Sequence, residues 1–457
     1  MTIHFRQGKL EAHEREAILE EVYQRAKAAA SAAVKALIEA LPEAEVTAKL
    51  GREKGAVRRI SGQPREVDWV CGHCGCADAQ QFTRDGHYRR SLQTGWGSIE
   101  ELRVPMLECQ QCGHDVICHF TILEKYERFW LDLDQDVVLG SGLCESLRHL
   151  SERWSEAVGS SIGLRTLGER INQIAPLLSQ AHQTRITQVP AVIQFDGIWL
   201  RLQIPTGTVK TDRRRRRRQQ RKGKRMVLLV ALGLWADGSG KREILDWELA
   251  EGETQPDWQR LLDRLWDRGV RPEAGLQAVI RDGKGELGAA VAQVYGTRVI
   301  EQRCVFHKLR NVADKAREDL GGEANREQRE QLLEQASAIY QAETADRARE
   351  GLRTWVSTWQ EQAPKAVATL QRNFEQTIAF YALGGIAREL VRTTSLLERT
   401  NRELRRKFRQ ACCFSSRRGA EVAIYAASCS GCTRAGPKRL GHTQLVRSLW
   451  LFIDLYP

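Results

Sequence analysis

The alternation of apolar and polar positions divides the chain into stretches of different period. Residues 10–41 carry apolar side chains at helical spacing (Leu10, Ile18, Val22, Ala26, Ala29, Ala33, Leu37), which predicts one long helix ended by Pro42. From 68 to 120 the pattern becomes short alternating runs broken by glycine, as in hairpins. Residues 121–185 return to the helical period, with two helices joined at Val158–Ser161 and the second over Ser161–Ile174. That spacing is compatible with a helix-turn-helix, and with any helical hairpin. From 190 to 306, apolar runs of strand length mix with amphipathic helices in the order β-β-β-α-β-α-β. Residues 307–385 are helical throughout, a further helix follows in "IARELVRTTSLLERTNRELRRKF", and the tail from 411 to 457 is mixed.

The first strand, "AVIQFDGIWLRLQI" (191–204), contains an acid among apolar neighbours. A lone buried carboxylate costs several kcal/mol, or is forced neutral, unless something pairs with it. A divalent cation would offset that cost at Asp196, and Gly197 would leave space for the cation or for phosphate. Asp282 ends a later strand in "VIRDGKGE", and Glu398 lies on the helix "SLLERTNREL". Each of these two has an ordinary reading, a turn residue before glycine and a surface glutamate. Together the three carboxylates suit hard cations such as Mg²⁺ or Mn²⁺. Two such ions can clamp the attacking and leaving oxygens of a phosphoryl displacement.

Charge and cysteine content add two partners. The net charge of +12 favours a polyanion, nucleic acid being the commonest. The stretch "KTDRRRRRRQQRKGKR" (210–225) holds 11 Lys/Arg against one acid and is longer than a tight hairpin needs. Arg213, Arg214, Arg215, Arg216, Arg217, Arg218, Lys222 and Lys224 are candidate phosphate contacts there. Arg399, Arg402, Arg405 and Arg406 add positive charge around Glu398. Such contacts are sequence-independent and salt-sensitive. The N-terminus lacks an apolar leader and no run of about 18 apolar residues exists, so the cytoplasm is the expected compartment. In a reducing compartment paired cysteines read as metal ligands before disulfides. Two CxxC pairs, Cys71/Cys74 and Cys109/Cys112, can complete one closed, structural zinc site. Gly113 permits the left-handed residue such a knuckle uses. His73, Cys76, His114 and Cys118 lie near enough to replace a ligand, and Cys429/Cys432 is a lone pair.

"FDG", "RDG", "CVFHKLRN" and "LLERTNRELRR", in this order, resemble the DDE transposases of bacterial insertion sequences, nearest the Mutator-type group and its zinc-ribbon-bearing relatives. The resemblance covers about 190–410 and implies an RNase H-like α/β fold with Asp196, Asp282 and Glu398 as the metal-binding triad. It accounts for the 115 residues between Asp282 and Glu398 as an inserted helical domain, and matches Cys304 and His307 to a Cys-x-x-His signature in a supporting role. The implied organisation is 1–67 helical, 68–120 zinc ribbon, 121–188 helix-turn-helix-like DNA-binding region, 189–306 first part of the catalytic core, 307–385 helical insertion, and 386–457 core helix and tail. The implied activity is metal-dependent cleavage at element ends and strand transfer. The implied partners are double-stranded DNA (terminal inverted repeats and target) and a second copy of the chain or more, in a prokaryotic cell at the nucleoid, with no membrane. The alternatives are a non-catalytic DNA-binding descendant of a transposase and an RNase H-like nuclease.

Overall fold

The computed structural model describes residues 12–57, 63–123, 125, 127–142, 145–211, 213 and 215–429. Arg214, Cys432 and the tail beyond 429 lie outside the described residues, as do Leu10 and the side chain of Cys429. The chain divides into two compact units. Of the described residues, the first takes those up to Gly140 and Leu147–Ile171, and the second takes those of Ser141–Ser146 and the chain from Asn172 to Cys429.

In the first unit, helix α1 (Ala12–Leu50) lies over a four-stranded antiparallel sheet built from β1 (Val70–Cys71), β2 (Phe82–Thr94), β3 (Gly97–Cys109) and β4 (His114–Ile117), in the order β1-β4-β3-β2. Pro42 does not end the helix as its position predicts; it sits inside α1. The two turns beyond it hold because Val46 and Leu50 bury against a core that contains Trp69, Phe82 and Leu92, and packing outweighs the one lost backbone hydrogen bond. Helix α2 (Leu131–Gly142) precedes the hairpin of α3 (Leu147–Val158) and α4 (Leu164–Asn172). Ser155 and Ser151 close its connection: the Ser155 hydroxyl accepts from Ile162 N at 2.9 Å, and the Ser151 hydroxyl donates to Ile162 O at 2.5 Å. The second helix therefore begins at Leu164, three residues later than its pattern predicts.

The second unit holds α5 (Ala175–Gln183) and a five-stranded mixed sheet. Its elements follow the predicted order: β5 (Val192–Thr211), β6 (Arg217–Leu234), β7 (Arg242–Ala250), α6 (Gln255–Asp267), β8 (Ala278–Arg281), α7 (Gly285–Tyr295) and β9 (Ile300–Arg303). The spatial order is β7-β6-β5-β8-β9, with β7, β6 and β5 antiparallel and β5, β8 and β9 parallel. One face packs Phe195, Val227 and Leu229 against Trp258, Leu261 and Leu265 of α6 and Leu287 and Val291 of α7. The period-2 alternation places Gln194 and Asp196 on the other face.

After β9 the chain is helical, as expected: α8 (Val305–Asp319), α9 (Arg326–Ile339), α10 (Ala345–Trp359), α11 (Pro364–Gln371) and α12 (Phe374–Thr377). The stretch read as one helix from 386 to 408 is two, α13 (Arg388–Val391) and α14 (Ser395–Ala411), before α15 (Arg417–Cys429). The break has a physical cause on β5. The buried Gln194 amide donates to Leu390 O (3.1 Å) and Thr393 O (2.9 Å) and accepts from Leu397 N (3.0 Å). Three backbone groups at the break thus find a side chain instead of the next helical turn.

Asp246 of β7 is wholly buried and ion-paired with Arg268 (2.9 Å), Arg264 (3.3 Å) and His182 (2.6 Å). Burial pushes its carboxyl up, but the hydrogen bond from His182 and the Arg264 charge outweigh that and hold it below the usual range. Asp246→Ala leaves the Arg264 and Arg268 guanidinium groups, with the His182 ring beside them, without their shared carboxylate. We expect it to lower unfolding free energy by about 3–5 kcal/mol, seen as a lower urea midpoint. The sign with pH follows from the lowered value: this contribution is complete above about pH 4 and fades as the pH falls further. Wild type and variant should converge in acid; equal midpoints at neutral pH would refute the role of the network.

Candidate active site and candidate metal centre

The candidate metal centre is a cysteine cluster carried by two turns of the first unit. Gly75 N donates to Cys71 O (3.1 Å) and Gly113 N to Cys109 O (2.7 Å), with Gly75 at φ +68° and Gly113 at φ +71°. Each turn therefore needs a left-handed residue, and glycine supplies it without a Cβ clash. The four sulfurs lie within 4.8 Å of one another; Cys71–Cys112 is 3.4 Å and Cys74–Cys109 is 3.7 Å. Tetrahedral zinc with bonds of about 2.3 Å places sulfurs about 3.8 Å apart, so the set could hold such an ion. Backbone N–H groups of Cys74 and His73 lower the Cys71 thiol to about 6, whereas burial and the neighbouring thiols push Cys112 up to about 12. His73 and His114 stack at 3.9 Å and, with Cys112, form a second close group. Cys76 and Cys118 do not join either group, and burial pushes the Cys118 thiol up to about 12.

In the second unit the three carboxylates come from three elements on one sheet. Asp196 lies near the start of β5, Asp282 directly follows β8 and Glu398 lies in the first turn of α14. Asp196 is not without a protein partner, as its apolar neighbours suggest. Its Oδ1 accepts from Gly197 N (2.8 Å) and its Oδ2 from the Asn401 amide (2.7 Å). Burial pushes its carboxyl up; Gly197 and His307 pull it down, and Asp282 pushes it up again. The other amide atom, Asn401 Oδ1, is buried with no hydrogen-bond partner. Gly197 does not provide space for a cation: a Cβ there would meet Glu253 Cδ at 3.0 Å and Val227 Cγ2 at 3.1 Å, on the opposite face from Asp196.

The Asp282 turn is exposed at 283–286 and is held by hydrogen bonds and ion pairs at its root. Lys284 N donates to Asp282 Oδ1 (3.0 Å), and Lys284 Nζ pairs with Glu253. The buried Arg281 guanidinium donates to Asp282 O (2.8 Å) and Lys284 O (3.0 Å) and pairs with Glu301. The Arg303 guanidinium packs against Gly283, where a Cβ would lie 2.0 Å from it and displace it.

Cys304 caps α8 and His307 stands one turn in. The His307 Nε2 lies 3.7 Å from Glu398 Oε1. Thr394 Oγ1 lies 3.3 Å from Cys304 Sγ, 3.5 Å from His307 Nδ1 and 3.3 Å from Glu398 Oε1. The hydrogen bond to Cys304 raises the His307 imidazole against burial, helped by the charges of Cys304, Glu398 and Asp196. Burial raises the Cys304 thiol, but hydrogen bonds from His307 and Thr394 outweigh it and leave it lowered. Glu398, His307, Asp196 and Asp282 thus act on one another electrostatically in a chain. The oxygens of the three carboxylates are not all within the 4.8 Å spacing that groups the cysteines.

Among the basic candidates, Arg399, Arg402, Arg405 and Arg406 are exposed on α14, with Leu397, Asn401, Leu404 and Phe408 on its buried face. Arg213 and Arg215–Arg218 are exposed beyond the sheet, Lys222 likewise, and Lys224 pairs with Glu251. Asn401, Thr394 and Gln194 were not singled out by sequence. Asn401 follows Glu398 by three residues on the same helical face, and Gln194 precedes Asp196 by two on the same strand face. Both spacings were visible.

A family model described as "Transposase, Mutator family" matches residues 6–430. The chain is 25% identical over 325 residues to the transposase for insertion sequence element ISRM5 of Rhizobium meliloti (strain 1021), covering 71% of this chain and 72% of that protein. It is 24% identical over 341 residues to the transposase for insertion sequence element IS905 of Lactococcus lactis subsp. lactis (strain IL1403), covering 74% and 77%. It is 31% identical over 187 residues to the transposase for insertion sequence element IS406 of Burkholderia multivorans (strain ATCC 17616 / 249), covering 41% and 45%. With the family match spanning nearly the whole sequence, the chain belongs to the Mutator family of transposases.

Proposed function

We propose that this transposase works by DDE chemistry at the ends of an insertion sequence: hydrolysis of a phosphodiester, then attack of the freed 3′-hydroxyl on target DNA. The observation that supports the reading is that Asp196, Asp282 and Glu398 come from two neighbouring strands and the helix packed on them, with Asp196 within electrostatic reach of Asp282 and His307, and His307 of Glu398. The β7-β6-β5-β8-β9 sheet, antiparallel then parallel, supports an RNase H-like core over 189–306 completed by α14, with 307–385 as its helical insertion. The donor set fits hard divalent cations, since it is all oxygen and includes the orphaned Asn401 Oδ1. Asp196 and Asp282 would hold one Mg²⁺ or Mn²⁺, and Glu398 would help hold a second. Bound there, the ions would supply Lewis acidity to the attacking and leaving oxygens. Asn401 holds Asp196 Oδ2, the hydrogen-bonded turn places Asp282, and His307 orients Glu398.

The zinc ribbon over 68–120 and the helix-turn-helix-like region over 121–188 would recognise the terminal inverted repeats. The exposed arginines of α14 would contact phosphates. Two ends must be joined, so a homodimer or larger assembly is the working form, in the cytoplasm at the nucleoid. No helix of the described residues is long and apolar enough to cross a membrane.

The decisive experiment incubates the protein with labelled element ends and Mg²⁺ or Mn²⁺. We expect end-specific nicking in wild type and none in Asp196→Asn. Tight binding without nicking in wild type would make it a DNA-binding protein only, and nicking without end preference a nuclease. Asn401→Leu should slow nicking about 10–100-fold and raise the metal concentration needed for half-maximal rate. An unchanged metal dependence would reduce Asn401 to a packing role. Metal analysis of protein prepared without chelator should find about one zinc per chain, lost in Cys109→Ser; zinc-free wild-type protein would refute the ribbon.

A further inference from the structure

Strands β5 and β6 do not stop at the edge of the sheet. Their ladder continues through the arginine run, with Leu202 opposite Lys224, Pro205 opposite Arg221, Lys210 opposite Arg218 and Thr211 opposite Arg217. The distal part is exposed on both strands. Its root is pinned: Gln203 N donates to Phe414 O (2.8 Å), Phe414 N to Arg201 O (2.9 Å), the Arg221 guanidinium to Ser415 O (2.5 Å), and Arg225 lies 4.8 Å over the Trp199 ring. A bulge at Thr206–Thr208, with Gly207 at φ +81°, interrupts the register between root and tip.

Opposed residues share a face and successive residues alternate. Arg217 and Arg221 therefore lie on one face, and Lys210, Arg218 and Lys222 on the other. A ribbon basic on one face suits a single phosphate rail. A ribbon basic on both faces suits a channel with phosphates on either side. The major groove of B-form DNA, about 12 Å wide, admits a two-stranded ribbon and has that arrangement.

We propose that the ribbon is an arm that lies in the major groove of double-stranded DNA, away from the phosphodiester at the carboxylates. This rests on the DDE reading only in what sits at Asp196. From Asp196 to Thr211 the strand runs about 50 Å at about 3.3 Å per residue, less what the bulge takes up. That is about 15 base pairs of duplex at about 3.4 Å each. The arm grips by phosphate charge, without sequence preference, and needs a duplex long enough to reach it.

The test replaces residues 206–220 by Asn-Gly, a two-residue turn that joins the paired Pro205 and Arg221. This removes seven Lys/Arg (Lys210 and Arg213–Arg218) and no core residue. Unchanged circular dichroism and thermal midpoint establish that the rest is folded. Affinity is then measured by fluorescence anisotropy in EDTA, on duplexes from about 10 to about 40 base pairs at several salt concentrations. We expect wild-type affinity to rise at least tenfold with length. The variant should lose that rise, and its log–log salt slope should fall by about 3–6. A variant that keeps the length dependence and slope overturns the arm while leaving the DNA-processing reading intact. Wild type that binds no duplex overturns both. Tighter binding to duplex RNA, whose deep major groove excludes a ribbon, also overturns the arm.

Discussion

A fully buried primary amide has to find partners for its donors and its acceptor, and Gln194 finds them in another part of the chain. Its three hydrogen bonds to Leu390, Thr393 and Leu397 break one helical run into α13 and α14 and fix where α14 begins on β5. Everything on that helix is placed by this contact. Glu398 falls beside His307, and Asn401, one turn on, reaches Asp196. The fully buried Gln302 performs the same service on β9, two strands further out, donating to Thr377 O (2.9 Å) and accepting from Phe380 N (2.8 Å). Two glutamines on parallel strands thus dock the helical segments that follow β9.

The order of strands and helices from 190 to 306 was legible because apolar periodicity carries it: the first residues of β5 and the last nine of β6, Met226–Leu234, are buried in near-continuous apolar runs. The cysteine turns were legible because ligand spacing and the glycine after each pair are local properties. What was not legible depends on contacts distant in sequence. The long helix continues through Pro42 because of residues it meets in the sheet, and the break at 392–394 exists because of Gln194. The arginine run looked too long for a turn because charged residues are poor strand formers. Paired across a ribbon with solvent on both faces, they cost little and keep the ladder going. The partner of Asp196 was missed for the same reason as the break.

The two candidate centres differ in how they are held. The four cysteines sit on two turns whose geometry is set within a few residues, so that site is local. The carboxylate site is assembled from β5, β8, α8 and α14, and Asp282 is placed by its own turn. Arg281 and Gly283 shape that turn, and Arg303 fills the space a side chain at 283 would need. The unpartnered amide oxygen of Asn401, buried on the helix that also carries Glu398, is the kind of unsatisfied group that a bound ligand would complete.

The amide of Asn401 meets Asp196 across a separation of 205 residues. During synthesis β5 leaves the ribosome long before α14 exists. At about 5–20 residues per second, the interval is on the order of 10–40 s. Throughout it, Gln194 and Asp196 face outward with no helix over them, and the strand exposes apolar residues beside them. An unfinished chain therefore cannot complete this face of the sheet, and neither can a fragment ending before residue 395. The late arrival of α14 makes translation through Ala411 a condition for assembling the carboxylates.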